Sequence, residues 1–186
     1  SLPPILGEEI NYPSGFRISA DRSPNLRGMT DICGEIPENF LFELNDRNIC
    51  GLYILDDGVD RDLDDVWKDI LARMDFVIVQ SYAMTDLAKS AHIVLPGLAP
   101  FEREGTITND QGRVQWLRPS LPVQGEAKPD WEILALVMKE MHPEQQPMQD
   151  ISQVMKEMGA KFPDYKGLSF FRLGSTGISL NGRHEA

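Results

Sequence analysis

The chain has 186 residues, 41% of them hydrophobic and 25% charged, which is enough for one globular domain with extensions. Its net charge of −11, with Lys and Arg scattered, argues against a nucleic-acid partner. The sequence contains no run of about 18 apolar residues, the length needed to span a bilayer. The two cysteines, Cys33 and Cys50, and three isolated histidines lack the spacing of a metal or cluster site, and sparse cysteine use is typical of a reducing compartment.

The middle of the chain predicts strands that alternate with helices. Residues 51–55 form a continuous apolar run that predicts a buried strand, closed by Asp56-Asp57-Gly58. Residues 60–74 predict a helix with an acidic first turn. The expected apolar stripe of this helix consists of Val66, Ile70, Leu71 and Met74.

Two further strands follow. Residues 75–81 are apolar and mostly β-branched without alternation, as in a parallel sheet covered on both faces. Thr85 is placed to cap a short helix that ends near Ser90, and residues 92–95 predict the next strand. Ligands of open parallel sheets bind beyond the carboxyl ends of the strands, which here are 56–58, 80–81 and 96–97.

The last third of the chain predicts a hairpin and two helices. Residues 106–108 and 113–117 flank a polar turn, and Pro129 is placed for the first turn of a helix. The expected apolar stripe of that helix consists of Trp131, Leu134, Val137, Met138 and Met141. A short helix is predicted over 151–158, and the apolar tail beyond it either packs back or covers a partner.

These elements predict an α/β fold: a Rossmann-like, open, mostly parallel sheet with flanking helices, plus a hairpin or loop segment and an irregular C-terminal tail. We expect an N-terminal extension and loop over 1–47 and the α/β domain over 48–142. A linker, a short helix and the tail would occupy 143–186.

Four blocks of the sequence stand in a recognisable order. They are Asn25-Leu-Arg-Gly28 with Asp31 and Gly34; residues 76–96, which contain Thr85-Asp-Leu-Ala88; residues 102–115, which contain Glu102-Arg-Glu-Gly-Thr106; and Gly125-Glu-Ala-Lys-Pro-Asp-Trp131. Together they resemble the molybdopterin oxidoreductase superfamily over about residues 25–141. The first block is similar to a loop of that family.

The resemblance implies that this chain corresponds to a later part of a much longer large subunit. The superfamily includes formate dehydrogenases, nitrate reductases and the large iron–sulfur subunit of NADH-quinone oxidoreductase, respiratory complex I. Full-length members begin with cysteine-rich iron–sulfur modules, and the sequence given contains no such pattern. The segment would include part of the Rossmann-like cofactor domain.

Two departures from the family pattern bear on function. Pterin-binding members commonly have Gly-Glu-Asn-Pro where this chain has Asp56-Asp57-Gly58, and many have Gln-Asp where it has Gln80-Ser81. Acids at the strand ends would repel a diphosphate, although a carboxylate could accept from guanine or ribose donors. We therefore favour the complex I type, in which the fold serves as a scaffold.

Under this first hypothesis the chain is a structural or assembly domain of the complex I electron-transfer arm. The resemblance then implies no catalytic residue and no cofactor in the segment, and iron–sulfur clusters elsewhere in the parent chain. Partners would be other domains of the same large subunit and other complex I subunits. The location would be cytoplasmic and peripheral to the inner membrane, without a span of its own.

The alternative is part of a molybdenum or tungsten enzyme such as a formate dehydrogenase. It would bind a molybdopterin guanine dinucleotide with Mo or W, and the residues that would line the site are Asp56, Asp57, Gln80, Ser81 and Thr85. Plainer roles for these residues are turn formation and helix capping. A stand-alone α/β binding module with only architectural similarity is a third possibility.

A second group of residues is placed for contacts with other domains or subunits. Its members are Glu102, Glu104, Asn109, Arg113 and Trp116. Glu102, Glu104 and Arg113, with Arg103, could form a salt-bridged clamp or merely a solvated turn. Asn109 is more typical of a turn former, and Trp116 is the better candidate for an interface anchor.

Overall fold

The computed structural model describes residues 10–11, 13, 17–18, 25–35, 40–44 and 49–180. The rest of the predicted extension over 1–47 and of the tail over 181–186 lies outside the described residues. The elements in chain order are β1 (Ile10–Asn11), β2 (Arg17–Ile18), α1 (Leu26–Cys33), α2 (Phe40–Leu44), β3 (Gly51–Leu55), α3 (Asp65–Arg73), β4 (Phe76–Ser81), α4 (Asp86–Lys89), β5 (Ile93–Pro96), β6 (Gly105–Thr108), β7 (Arg113–Leu117), α5 (Asp130–Met141), α6 (Ile151–Lys161), a 3-10 turn (Pro163–Tyr165), α7 (Phe170–Leu173) and β8 (Ile178–Ser179).

The described residues form two compact units, each assembled from separate stretches of chain. The first unit draws on residues 37–103 and 119–147, and the second on 3–36, 104–118 and 148–186. The contiguous segments 1–47, 48–142 and 143–186 stay a prediction. No helix within the described ranges is long and apolar enough to cross a membrane.

The first unit is built on a parallel sheet in the order β3-β4-β5, which confirms the predicted fold class. Val77 and Val79 on the central strand are fully buried. The side chains that pack with them come from β3, α3 and α4; they include Ile54, Trp67, Ile70, Leu71, Leu87 and Ala88. This is the apolar core that the unbroken hydrophobic run of β4 requires.

Helix α3 begins later than the acidic pattern indicated. It starts at Asp65, and the Asp64 carboxylate caps it by accepting from the Trp67 N–H at 2.9 Å. Asp60 lies outside the helix and accepts instead from the Asp86 N–H at 3.0 Å. The predicted stripe was wrong at Val66, which is 53% exposed, because the buried face begins one residue later, at Trp67.

Helix α4 forms the predicted short crossover between two parallel strands. The Thr85 hydroxyl accepts from the Ala88 N–H at 3.1 Å, which confirms the N-cap. The same hydroxyl donates to the Asp56 carboxylate at 2.8 Å. One side chain therefore ends a loop, starts a helix and ties both to the end of β3.

The side chain of Gln80 connects the sheet with α5. Its Oε1 accepts from the Tyr53 hydroxyl at 2.5 Å, and its Nε2 donates to the Asp130 carboxylate at 2.7 Å. Asp130 also pairs with Arg103 at 3.4 Å, and the Arg103 Nε donates to the Leu98 carbonyl at 2.6 Å. A buried amide with both ends bonded thus joins β3, β4 and the first turn of α5.

Helix α5 forms where a helix was predicted, but Pro129 is its N-cap and the helix does not have the predicted apolar face. Ile133 is its buried residue. Leu134, Met138 and Met141 of the expected stripe are 37%, 45% and 67% exposed. The bond between Asp130 and Gln80 sets how the helix is turned, and the sequence pattern does not contain that constraint.

The second unit holds the antiparallel sheet β6-β7-β8, whose first two strands are the predicted hairpin. The tail is more regular than expected: it forms the 3-10 turn, α7 and β8. Leu168, Leu173 and Tyr165 pack around the fully buried Val114. The described part of the tail therefore packs back onto this unit, although Phe171 stays 94% exposed.

Two other differences concern helices of the second unit. Residues 26–33, expected as a loop by resemblance, form α1. The Asn25 side chain accepts from the Thr108 N–H at 2.8 Å, and Gly28 lies so close to Thr108 that a Cβ would be 3.1 Å from it. Helix α6 continues to Lys161, three residues beyond the expected end.

We expect Thr85→Ala to lower the free energy of unfolding by about 2 kcal/mol. The change removes a helix cap and also leaves the buried Asp56 with one donor fewer, and each loss costs about 1 kcal/mol. Urea denaturation followed by circular dichroism measures the difference. Ser120→Ala, at an exposed position of the same unit, is the control, and equal midpoints for both variants would contradict the assignment.

We expect Gln80→Leu and Asp130→Ala to be strongly coupled. Each change removes the hydrogen-bond partner of the other residue, and the Gln80 amide is buried, so the double variant should be about 1 kcal/mol more stable than the sum of the single effects implies. The measurement is a double-mutant cycle in urea. Glu132→Ala, which breaks only the exposed pair with Lys128, should be additive with Gln80→Leu.

Candidate functional site

The carboxyl edge of the parallel sheet brings the predicted strand-end residues together. The backbone ladder continues past the strands, because the Asp56 N–H donates to the Gln80 carbonyl at 2.9 Å and the Gly97 N–H to the Ser81 carbonyl at 3.0 Å. The three strand ends are therefore held at fixed spacing. Open parallel sheets bind their ligands at this edge.

Asp56, Ser81 and Thr85 form one buried cluster at this edge. Asp56 is 8% exposed, and its Oδ2 accepts from the Ser81 hydroxyl at 3.0 Å and from the Thr85 hydroxyl at 2.8 Å. Among the described residues, none donates to the other carboxylate oxygen, Oδ1. The cluster thus presents a carboxylate that two hydroxyl groups hold in place through one of its oxygens.

Gln80 belongs to the same edge but is fully engaged with the protein. It is 1% exposed and lies between Tyr53 and Asp130. Burial, and after it the negative charge of Asp130, raises the pKa of Tyr53, which keeps its hydroxyl a neutral donor. The amide therefore positions the end of β4 and is not itself turned toward a ligand.

Asp57 is the member of the predicted set with an exposed carboxylate. Arg61 binds it through two hydrogen bonds of 2.8 Å, and the Val59 N–H adds a third at 3.0 Å. The hydrogen bond from Arg61 is the largest of the effects that lower the pKa of Asp57. The carboxylate is thus ionised at neutral pH, partly neutralised by Arg61, and open to solvent on one side.

A tight turn places Asp57 at this edge. Gly58 has φ +71°, and a Cβ there would collide with the Tyr82 ring. Only glycine fits, because the turn passes directly over the ring. The Arg103 guanidinium lies 5.7 Å from the centre of the same ring. Tyr82 is therefore a half-buried aromatic surface beside the two acids.

Sequence reasoning missed Tyr53, Arg61, Arg103 and Asp130 as members of this network. A signal for two of them was present, since Arg103 and Asp130 lie within blocks that carry the family resemblance. Gly97, at a strand end that the sequence did indicate, adjoins the same network, because a Cβ there would be 2.9 Å from the Asp130 Oδ1. Tyr53 and Arg61 had no such signal: each becomes relevant only through a bond formed in the fold.

The second predicted group holds backbone segments in place. Glu102, 9% exposed, accepts from the Ala99 N–H at 2.9 Å and from the Gln124 N–H at 3.1 Å, which fixes a loop of the first unit. The Arg113 guanidinium donates to the Thr176 carbonyl at 3.3 Å in the second unit. Glu104 is exposed. The clamp of Glu102, Arg103, Glu104 and Arg113 stays a prediction.

Asn109 and Trp116 complete this group. The Asn109 side chain accepts from the Gln111 and Arg113 N–H groups at 3.1 and 2.8 Å, as a turn former does. Trp116 lies against Phe170, with ring centres 5.1 Å apart, and Arg118 covers its ring at 4.1 Å. The roles of the group in contacts with other domains or subunits stay a prediction.

Metal ligation by protein side chains has no support in the described ranges, which contain no group of three or more His, Cys, Asp or Glu side chains suited to an ion. Cys33 and Cys50 are both exposed.

Comparison with known proteins places the sequence in one family. The family model described as molybdopterin oxidoreductase matches residues 25–140. The α subunit of F420-dependent formate dehydrogenase 2 from Methanococcus maripaludis is 38% identical over 120 residues, 64% of this chain and 18% of that protein. The α subunit of F420-dependent formate dehydrogenase from Methanocaldococcus jannaschii is 32% identical over 187 residues, 96% of this chain and 26% of that protein.

The complex I interpretation is therefore wrong. These relatives carry the names of formate dehydrogenase subunits, which favours the alternative of a molybdopterin enzyme over a complex I scaffold. The expectation that the segment has no cofactor falls with it, since family and relatives point to molybdopterin. The chain spans about a quarter or less of these relatives' length. With the match covering more than half of its residues, the chain belongs to the molybdopterin oxidoreductase family.

Proposed function

We propose that this chain is the part of a formate dehydrogenase α subunit that binds the guanosine end of a molybdopterin guanine dinucleotide, with Mo or W as the metal. The binding edge is the carboxyl end of β3 and β4 in the first unit. The observation that carries the proposal is the contact between Asp56 and Ser81.

This contact gives the two departures from the family pattern a common explanation. Many members have Asp after the glutamine of the central strand, where this chain has Ser81. Here Asp56, from the end of the neighbouring strand, lies 3.0 Å from the Ser81 hydroxyl. The carboxylate missing from one strand is thus supplied by the next, and it remains at the same edge of the sheet.

The electrostatic objection to a nucleotide is weaker than the sequence implied. Asp57 is bound by Arg61 through two hydrogen bonds, so the pair carries little net charge. Asp56 is buried and accepts from two hydroxyl groups. The edge therefore offers a phosphate far less repulsion than two free carboxylates would.

The side chains at this edge fit the nucleoside half of such a cofactor. Guanine presents N–H donors and ribose presents hydroxyl donors, and carboxylate oxygens accept from both. The Oδ1 of Asp56 and the exposed carboxylate of Asp57 are acceptors of this kind, and Tyr82 offers a ring face for a base. When bound, the cofactor supplies the metal at which oxidation and reduction take place.

In this proposal the described residues bind and orient the nucleotide and carry out no chemical step. Gln80, held by Tyr53 and Asp130, fixes the end of β4 on which Ser81 stands. Thr85 and Ser81 hold the Asp56 carboxylate in one orientation. The partners we propose are the other domains of the same α subunit.

Cofactor content of the intact α subunit tests the proposal. The wild-type subunit should contain Mo or W, with pterin and the GMP released on acid hydrolysis in amounts equal to each other, two of each per metal for a bis-dinucleotide cofactor. Asp56→Asn and Asp57→Asn should each lower the retained GMP and metal several-fold, because one charged acceptor is worth about 1 kcal/mol or more. Asp62→Asn, an exposed acid of the same segment, is the control and should retain both.

The outcomes separate the parts of this claim. A wild-type subunit without Mo, W and pterin would refute the cofactor itself. Stoichiometric pterin without GMP would refute the guanosine end alone. If Asp56→Asn and Asp57→Asn retain as much GMP and metal as Asp62→Asn does, Asp56 and Asp57 do not contact the cofactor.

The loss of stability at acidic pH gives an independent check on the Asp57–Arg61 pair. The pKa of Asp57 is lower in the fold than its usual 3.8, so its contribution is present above pH 3.8 and is lost as the pH falls through the folded value. At neutral pH we expect the free energy of unfolding of the wild-type chain to be about 0.5 kcal/mol higher than that of Asp57→Asn. The difference is small because the pair is exposed. The difference, measured by urea denaturation, should shrink toward zero on acidification; a constant difference would contradict the assignment.

A further inference from the structure

A groove in the second unit belongs to none of the sites described so far. It lies between α6, the turn that follows Tyr165, and α7, and its volume is about 550 Å³. The apolar and backbone surface of this groove is contributed by Met155, Gly159, Gly167, Leu168, Phe170 and Phe171. A volume of this size accommodates two or three side chains of a ligand.

The floor of the groove is formed by closely packed backbone. A Cβ at Gly159 would lie 3.0 Å from the Tyr165 carbonyl oxygen, so α6 approaches the turn as near as its backbone allows. Gly167 continues the turn with φ +70°, and Arg172 holds it by donating to the Gly167 carbonyl at 2.7 Å. Because the floor is fixed in this way, the groove is a preformed feature of the unit.

One large aromatic side chain at the groove is not used by the fold. Phe171 is 94% exposed, while Leu173, two residues later on the same short helix, is 1% exposed. Phe170 is half-buried and packs against Trp116. Phe171 therefore stands at the rim with almost its whole ring in water, the position of an interface anchor.

The charge around the groove is opposite to that of the molecule. Residues 151–180 contain four basic side chains, Lys156, Lys161, Lys166 and Arg172, and two acidic ones, in a chain whose net charge is −11. Two of these bases, Lys156 and Lys166, line the groove directly. A basic rim around an apolar floor complements a ligand that is both acidic and apolar.

We propose that this groove binds an acidic peptide segment of a partner protein. The segment would place an apolar side chain on the floor between Met155 and Leu168, cover the exposed face of Phe171, and set its carboxylates against Lys156 and Lys166. A peptide is favoured over a small carboxylate because only an extended ligand can both fill the groove and cover a ring that projects beyond it. This site is separate from the nucleotide edge and does not depend on the proposed function.

The test is fluorescence anisotropy with the purified chain and a labelled peptide of about twelve residues, rich in Glu around a central Leu-Phe pair. We expect saturable binding that weakens several-fold when NaCl is raised to about 0.5 M. Phe171→Ala should weaken binding about tenfold, as loss of an aromatic anchor does. Lys156→Glu combined with Lys166→Glu should weaken it at least as much, because attraction becomes repulsion.

Matched controls separate the groove from charge in general. Lys139→Glu changes the same type of residue on the exposed surface of α5 and should leave the peptide affinity unchanged. Circular dichroism spectra matching wild type would show that the groove variants are folded. The proposal is overturned if a Lys-rich peptide of the same length binds equally well, if the groove variants bind like wild type, or if a short-chain fatty acid displaces the peptide completely.

Discussion

The side chain of Gln80 is the constraint on which the first unit depends. An amide that is 1% exposed must have its polar atoms satisfied, or it costs more free energy than the strand around it gains. Tyr53 supplies a donor from the neighbouring strand, and Asp130 supplies an acceptor from the first turn of α5. The position of α5 and the end of β4 are therefore fixed together. The positions of Ser81 and of the cluster that it forms with Asp56 and Thr85 depend on that arrangement.

In the proposed function, the binding surface at the carboxyl edge of the sheet is kept while its residues change places. A carboxylate absent after Gln80 stands instead at Asp56, on the next strand, and hydrogen bonds to Ser81 and Thr85 orient it. Asp57 brings a second acid, whose charge Arg61 offsets. Interpreted one position at a time, these residues favoured a scaffold without a cofactor; interpreted as contacts, they support the proposal of a rearranged site.

The parallel strands, the cap at Thr85 and the hairpin could be predicted from the sequence, because each depends on local signals. Unbroken β-branched runs, a Thr before an acidic turn and a polar turn ending in Gly112 are signals of this kind. The buried faces of α3 and α5 could not be predicted as well. In α3 the periodicity of apolar residues gave Ile70, Leu71 and Met74 correctly and was wrong at Val66. In α5 it missed the buried Ile133, because burial there depends on partners far away in sequence.

The candidate site was predictable in position but not in organisation. Asp56, Ser81 and Thr85 do meet, because the carboxyl ends of parallel strands lie at one edge. Their mutual hydrogen bonds, and the pairing of Asp57 with Arg61, depend on side-chain directions that the sequence does not specify. The functional conclusion drawn from the sequence treated Asp56 and Ser81 as two losses, whereas the structure places them 3.0 Å apart. The formate dehydrogenase relatives are what overturn that conclusion.

Nitrogen-15 NMR of the glutamine side chains tests the role of Gln80 most directly. If the amide lies between Tyr53 and Asp130, one of its Nε2 protons should exchange with solvent far more slowly than those of the exposed Gln146, and Asp130→Ala should abolish that protection. If the Gln80 amide protons exchange as fast as those of Gln146 in the folded chain, the link between sheet and helix does not exist, and the account of the carboxyl edge falls with it.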